Sequence, residues 1–176
     1  PEIGGRPFYN QAFTELNFQV RRGGLGEVLE AISRHLDDAL PPTYYVASLL
    51  VDGALPGFAQ ENDLGVAELG IQASPSIWIG NRVVASCHFD APNNLACCAV
   101  GRREFTLFPP EQIENLYPGP LDPTPGGQTV SMVDFSDPDY ERYPRFREAL
   151  ATARTALLEP GDVIFIPSMW WHHVRS

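Results

Sequence analysis

A histidine and an aspartate, His88 and Asp90, are separated by one residue in the apolar run 83–90, VVASCHFD. In a β-strand, residues i and i+2 project from the same face, so this imidazole and this carboxylate can share one metal ion. A second imidazole is available near the end of the chain, at His172 or His173. Two histidines and one carboxylate leave open positions on an octahedral ion, as in the ligand set of non-haem iron(II) oxygenases. The spacing therefore predicts an iron(II) site with free positions for further ligands.

Short strands separated by turns with Gly and Pro are predicted from residue 76 onward, and these strands have to position the ligands. The strand-like segments are 76–79, 83–90, 94–100, 103–108, 129–135, 155–158, 162–166 and 170–175. Helical signals occur in two of the breaks, 110–116 and 144–153. Many short strands with few helices favour a mainly β fold, and a double-stranded β-helix, or jelly roll, fits the number of strands.

The N-terminal part of the chain, 1–75, is predicted to flank this core. Apolar residues at helical spacing predict an amphipathic helix over 25–40, ended by a Pro-Pro pair. The aromatic and β-branched run 43–51 predicts a strand. We expect a single domain over 1–176 with its jelly-roll core at 76–176. Because the chain stops inside a strand-like run, we expect this domain to be truncated at its C-terminus.

The composition argues against several classes of partner. The chain of 176 residues carries a net charge of −10, and its 12 basic residues are all arginine. Because this charge repels a phosphate backbone, we expect no nucleic-acid partner. Three cysteines, two of them adjacent, do not fit a disulfide framework, and no apolar run is long enough to span a membrane. We therefore expect a cytoplasmic protein without a membrane partner.

Five segments carry a family resemblance. They are HFDAPNN at 88–94, GRREFTLFPP at 101–110, NLYPGP at 115–120, VDFSDPDYERYPRF at 133–146 and LEPGDVIFIPSMWWHHV at 158–174. Together they resemble the cupin-like branch of the Jumonji-C oxygenases, which includes the asparaginyl hydroxylase that modifies the hypoxia-inducible factor. The resemblance implies a cupin-like jelly roll with a few flanking helices. It also implies an iron(II)- and 2-oxoglutarate-dependent dioxygenase that acts as a hydroxylase.

The resemblance selects the second histidine ligand. In the family, the distal ligand directly follows a tryptophan pair, which implies His172 rather than His173. Strand alternation agrees, because two adjacent histidines cannot both face the interior. The implied metal-binding and catalytic residues are therefore His88, Asp90 and His172, and His173 is left with a role in packing or in supporting the ligands.

Three further residues are implied to bind the cosubstrate 2-oxoglutarate. Arg103 matches a family lysine that holds the distal carboxylate, and its planar guanidinium suits bidentate binding of a carboxylate. Tyr45, or Tyr44 if the alignment shifts by one residue, matches a tyrosine that contacts the same carboxylate. Asn94 matches an asparagine that lines the cosubstrate pocket.

One position departs from the family. The hydroxylases often carry a threonine three residues before the first ligand, where this chain has Ala85. Either a hydrogen bond to the cosubstrate is lost here, or Ser86 or a water molecule replaces it.

The resemblance implies iron(II), 2-oxoglutarate and dioxygen as cofactor and cosubstrates. The oxidised substrate, a protein side chain or a small molecule, is not identified by the sequence. Many relatives are dimers, so a homodimer is one possible state of this chain, and the sequence does not decide it. Two alternatives stay open. One is a metal-dependent cupin that acts without 2-oxoglutarate, and the other is a non-catalytic, cupin-like binding module.

Overall fold

Residues 4–176 are described by the structure, a computed structural model, and they form two compact units. One unit joins the N-terminal segment up to Val20 with residues Arg82–Ser176, and the other comprises Arg21–Asn81. The division after Asn81 does not coincide with the predicted boundary between 75 and 76. The strand predicted to begin the core, 76–79, therefore belongs to the second unit.

Two antiparallel sheets form the first unit. Their strands are β3 (Val84–Phe89), β4 (Asn94–Cys97), β5 (Arg103–Phe108), β6 (Arg154–Leu158), β7 (Val163–Ile166) and β8 (Trp171–Arg175). The larger sheet has the strand order β3-β8-β5-β6, and the smaller sheet pairs β4 with β7. A short 3₁₀ helix, Pro110–Asn115, and α4 (Phe146–Thr152) accompany them. Mainly antiparallel strands with few helices confirm the predicted fold class.

Apolar side chains cover both faces of the larger sheet. The inner core lies between the two sheets and consists of Cys98, Phe105, Leu107, Leu158, Ile166 and Val174. The outer core lies on the opposite face and consists of Cys87, Phe108, Leu116, Val133, Tyr143, Phe146, Ala149 and Trp171. Along β5, Phe105 and Leu107 join the inner core while Phe108 joins the outer core. The alternation of strand side chains thus assigns each residue of β5 to one face.

The predicted strand 129–135 is wrong. This segment makes only isolated bridges, from Val130 to His88 and from Ser131 to Pro118. The amide of Val133 donates a hydrogen bond to Ser131 Oγ (3.2 Å), and the Val133 carbonyl accepts one from Arg6 (3.1 Å). Side chains therefore satisfy backbone groups that a strand would have paired along a ladder.

The second unit contains a strand pair and short helices. β1 (Tyr45–Leu50) pairs antiparallel with β2 (Ser76–Gly80). Around them lie α1 (Leu25–Arg34), α2 (Val51–Ala54), α3 (Phe58–Glu61) and a 3₁₀ turn at Val66–Leu69. None of the residues of α1 is buried.

The first helix is shorter than the prediction of 25–40, because the chain turns after Arg34. His35 Nδ1 lies 2.7 Å from the Asp38 carboxylate within this turn. Across residues 4–176, no helix has both the length and the apolar character needed to cross a membrane.

Candidate metal centre

Two histidines face each other across neighbouring strands of the larger sheet. His88 on β3 is the register partner of His172 on β8, and their ring centroids lie 4.3 Å apart. Asp90 follows the last residue of β3. Ligand atoms of the three side chains lie within 4.8 Å of one another, and within residues 4–176 this is the one group of His, Cys, Asp or Glu side chains that converges in this way. The structure therefore brings His88, Asp90 and His172 together.

A β-bulge in β3 sets the direction of His88. Ala85 pairs with Val174 and His88 pairs with His172, so three steps along β3 correspond to two along β8. Ala85 packs against the inner core, whereas Cys87 is buried in the outer core. The extra residue lets Ala85 and His88, three positions apart, face the same side of the sheet, which strict alternation would not allow.

The bulge also decides where the Ser86 side chain goes. Its hydroxyl accepts a hydrogen bond from Arg6 Nε (3.1 Å), and the same guanidinium donates to the carbonyl of Val133, an outer-core residue. Ser86 is thus held on the outer face, whereas Ala85, the position of the missing threonine, lies on the inner face. No Gly, Pro or Asn lies within 83–88 to signal this bulge.

Both imidazoles are oriented through backbone carbonyls. His88 Nδ1 lies 2.8 Å from the Ser86 carbonyl oxygen, and His172 Nδ1 lies 3.1 Å from that of Trp170. Because a carbonyl oxygen can only accept, each Nδ1 carries a hydrogen, and in the neutral tautomer this leaves the lone pair on Nε2. His172 Nε2 lies 3.6 Å from Asp90 Oδ2. Fixing the tautomer in this way is the usual preparation of a histidine for metal binding.

Asp90 is held by hydrogen bonds from the loop that follows β3 and from the loop that precedes β8. Asn94 Nδ2 donates to Asp90 Oδ2 (2.7 Å), and the Asp90 carbonyl accepts from the amide of Met169 (2.8 Å). Asn93 Oδ1 accepts from the amide of Ser168 (2.8 Å). The loop that follows β3 is thereby tied to the loop that precedes β8. These bonds fix the carboxylate relative to the strand that carries the second histidine.

Burial favours the neutral, metal-binding form of His172. Burial and, next, repulsion from His88 lower its pKa from 6.5 to about 4, against opposing contributions from the Trp170 carbonyl and Asp90. A neutral imidazole is the form that binds metal, so little proton competition is expected at neutral pH.

His173 lies on the opposite face of the sheet from His172. Its ring stacks on Phe135, with centroids 4.5 Å apart and planes 19° apart. Burial, followed by the charges of Arg6 and Arg175, lowers its pKa to about 4. Its place among aromatic residues fits the packing role inferred from the sequence.

Arg103 projects from the same face of the sheet as His172. Leu107 is the register partner of His172, and residues 103, 105 and 107 share one face of β5 because strand side chains alternate. Arg103 is half-buried, opposite Leu158 of β6. The neighbouring Arg102 is exposed and lies 3.1 Å from Glu159 in an ion pair.

The remaining predicted residues differ in their placement. Asn94 begins β4 and, through its bond to Asp90, contacts a metal ligand. Tyr45 begins β1 in the second unit, where Gly80 is its register partner. Its alternative, Tyr44, stacks against His35 with ring centroids 6.3 Å apart. A cosubstrate contact by either tyrosine stays a prediction.

A jelly roll that brings two histidines and one carboxylate to a single point belongs to the cupin class of metal-binding folds. The chain matches the cupin-like domain family over residues 1–176, and it therefore belongs to that family. This membership confirms the family predicted from the sequence. The particular resemblance to the asparaginyl hydroxylase stays a prediction.

Several known proteins are similar to this chain. JmjC domain-containing protein F of Dictyostelium discoideum is 36% identical over 143 residues, which are 73% of this chain and 30% of that protein. Human HSPB1-associated protein 1 is 39% identical over 103 residues, 57% of this chain and 20% of that protein. Lysine-specific demethylase JMJ31 of Arabidopsis thaliana is 32% identical over 105 residues, 59% of this chain and 19% of that protein. The aligned part of the chain thus spans less than a third of the length of these relatives.

Proposed function

We propose that this chain is the catalytic domain of an iron(II)- and 2-oxoglutarate-dependent dioxygenase that hydroxylates a protein side chain or a small molecule. The observation that carries the proposal is the convergence of His88, Asp90 and His172 at one point. Membership of the cupin-like family and similarity to Jumonji-C proteins support it. A cytoplasmic setting is part of the proposal, supported by three cysteines that are all free thiols.

The side chains that converge fit an iron(II) ion. Two imidazole nitrogens and one carboxylate oxygen are the ligand set that leaves positions open for further ligands. Both Nδ1 hydrogens are directed at carbonyl oxygens, so Nε2 of His88 and of His172 is free to bind. When bound, iron(II) together with 2-oxoglutarate supplies the activation of dioxygen that oxidises a C–H bond, with release of succinate and carbon dioxide.

The protein contributes orientation, charge and exclusion of water. Asp90 supplies the negative charge of the metal site, and Asn94 restrains its carboxylate. Arg103 is proposed to bind the distal carboxylate of 2-oxoglutarate. Apolar side chains of the inner core, among them Leu107 and Val174, share the face of the sheet that carries His172. They limit the access of water to a reactive centre.

The proposal is tested by anaerobic titration of the metal-free protein with iron(II) and then 2-oxoglutarate. We expect a visible metal-to-ligand charge-transfer band, followed by succinate release when air is admitted. The band should be lost in His172→Ala and retained in His173→Gln, which alters the adjacent histidine on the other face.

Other outcomes select the alternatives. Iron binding without the band, with turnover that does not depend on 2-oxoglutarate, would indicate another type of cupin enzyme. Failure of these three residues to bind iron would contradict the proposal and favour a non-catalytic binding module.

A further inference from the structure

A largely buried arginine from the N-terminal segment lies against the bulge of β3. The Arg6 side chain is 17% exposed, and its guanidinium donates three directed hydrogen bonds. Nε donates to Ser86 Oγ (3.1 Å), Nη1 to Asp134 Oδ2 (3.0 Å) and Nη2 to the Val133 carbonyl (3.1 Å). The Phe8 ring also lies 3.8 Å from the guanidinium carbon. This arrangement uses every nitrogen of the planar group.

A buried charge in this place requires an explanation. Desolvating a guanidinium is unfavourable unless it is paired, and well-packed apolar side chains often stabilise a core equally well. The outer core beside Arg6 is otherwise built from apolar and aromatic residues. Asp134 offsets the charge, but the ion pair alone does not account for the bond from Nε to Ser86. That bond is the contact between Arg6 and the strand that carries His88.

Ser86 connects Arg6 to the metal centre. Its hydroxyl accepts from Arg6, and its carbonyl oxygen accepts from His88 Nδ1 (2.8 Å). These two contacts involve opposite ends of one residue at the bulge. If the Ser86 side chain is fixed, its peptide group has little freedom to rotate. The direction of the carbonyl then sets the rotation of the imidazole.

Other backbone bonds hold the same part of β3 without reaching the imidazole. The amide of Val84 donates to the Gly5 carbonyl (2.8 Å), and the Cys87 carbonyl accepts from the amide of Ser131 (2.7 Å). They secure the strand before and after Ser86. The Ser86 carbonyl, by contrast, is bound to His88 itself, so its direction depends on how Ser86 is held.

We propose that Arg6 is a positioning residue of the metal centre, which holds Ser86 in the bulge and so orients His88 through the Ser86 carbonyl. This inference rests on the proposed function for the identity of the metal. It adds a residue 82 positions before the first ligand, in a segment that carries no metal-binding motif.

The proposal predicts a specific pattern of metal affinities. Lysine keeps the charge of Arg6 but cannot reach three acceptors in fixed directions, so Arg6→Lys should weaken iron(II) binding about tenfold, the lower end of effects of residues that orient metal ligands. Ser86→Ala removes the acceptor and should weaken binding to a similar degree. The double variant should bind iron(II) no more weakly than either single variant, because both changes remove the same hydrogen bond between Arg6 and Ser86. Ser86→Thr keeps a hydroxyl and should restore near wild-type affinity.

The experiment is an anaerobic titration of the metal-free full chain with iron(II) alone. A matched control is Arg145→Lys, because Arg145 also donates to a backbone carbonyl, that of Glu114, and does not contact β3. A second readout is the ¹⁵N NMR spectrum of the histidine rings without metal. In the wild type, the His88 ring should be the Nδ1-protonated tautomer. In Arg6→Lys and Ser86→Ala, it should populate both tautomers, which a general loss of stability would not produce.

The outcomes separate this inference from the proposed function. If the wild type binds iron through His88 while Arg6→Lys and Ser86→Ala bind it unchanged, the positioning role is overturned and the proposed function stands. Additive losses in the double variant, or an unchanged His88 tautomer, would also overturn it. If the wild type does not bind iron, the proposed function and this inference fall together.

Discussion

Replacing Arg103 by alanine should weaken the binding of 2-oxoglutarate while leaving the metal ligands in place. Arg103 lies four residues before Leu107, the register partner of His172, on the same face of the sheet. Four residues of strand span about 13 Å. The five-carbon chain of 2-oxoglutarate, bound near His172, can extend along part of this distance. The Arg103 side chain can extend along the rest. We therefore expect the distal carboxylate and the guanidinium to pair.

The expected loss follows from the strength of that pairing. A hydrogen bond to a charged group contributes about 1.5–3 kcal/mol. Its removal corresponds to about a 10- to 150-fold increase in the dissociation constant of 2-oxoglutarate. Arg103→Lys keeps the charge and loses the planar fork, so this variant should lose less affinity for 2-oxoglutarate, less than about tenfold.

The assay is titration of the iron-loaded, oxygen-free protein with 2-oxoglutarate, followed through the charge-transfer band. Arg102→Ala is the matched control, because Arg102 is adjacent, exposed and paired with Glu159. We expect unchanged 2-oxoglutarate affinity in this control. Equal affinities in Arg103→Ala and the wild type, or a larger loss in Arg102→Ala, would refute the assignment of Arg103.

Three other changes have expected outcomes. Asn94→Ala removes the hydrogen bond to Asp90 and should weaken iron(II) binding about tenfold in an anaerobic titration. For His173, the pKa is about 4 in the folded protein and 6.5 in the unfolded chain, so the unfolded state binds more protons between these values. Stability should therefore rise with pH across this window, by about 3 kcal/mol from this residue, and His173→Phe should flatten the rise in urea unfolding of the metal-free protein. Phe108→Ala empties a fully buried position and should lower the free energy of unfolding by about 3–5 kcal/mol, measured in the same way.

Contrary results would point to specific errors. Unchanged iron affinity in Asn94→Ala would mean that the loop holds Asp90 without its amide. An equal pH dependence in His173→Phe and the wild type would mean that His173 is not kept neutral by folding. A loss below about 1 kcal/mol in Phe108→Ala would contradict tight packing of the outer core.

The fold and the approximate location of the metal ligands could be predicted because they depend on local sequence patterns. The strands around the site read as apolar runs between turns, and β3, β5 and β8 lie close to the predicted segments. The spacing of His88 and Asp90 also places both near the end of one strand. His172 and His173 differ in face for the same reason, since neighbouring strand residues project to opposite sides.

Features that depend on distant residues could not be predicted in this way. The bulge at Ser86 has no local signal, and the hydroxyl within it is held by Arg6, 80 residues away. The segment 129–135 has the composition of a strand, yet its bonds run to β3, Pro118 and side chains rather than along a ladder. Only tertiary contacts decide such cases, because they override the intrinsic preference of the segment.

Anomalous diffraction at the iron absorption edge, from anaerobic crystals of the iron-loaded protein, would locate the bound metal. We expect a single strong peak bounded by Nε2 of His88, Nε2 of His172 and a carboxylate oxygen of Asp90. A peak at other side chains, ligation through Nδ1, or no peak between these three residues at full iron loading would contradict this expectation.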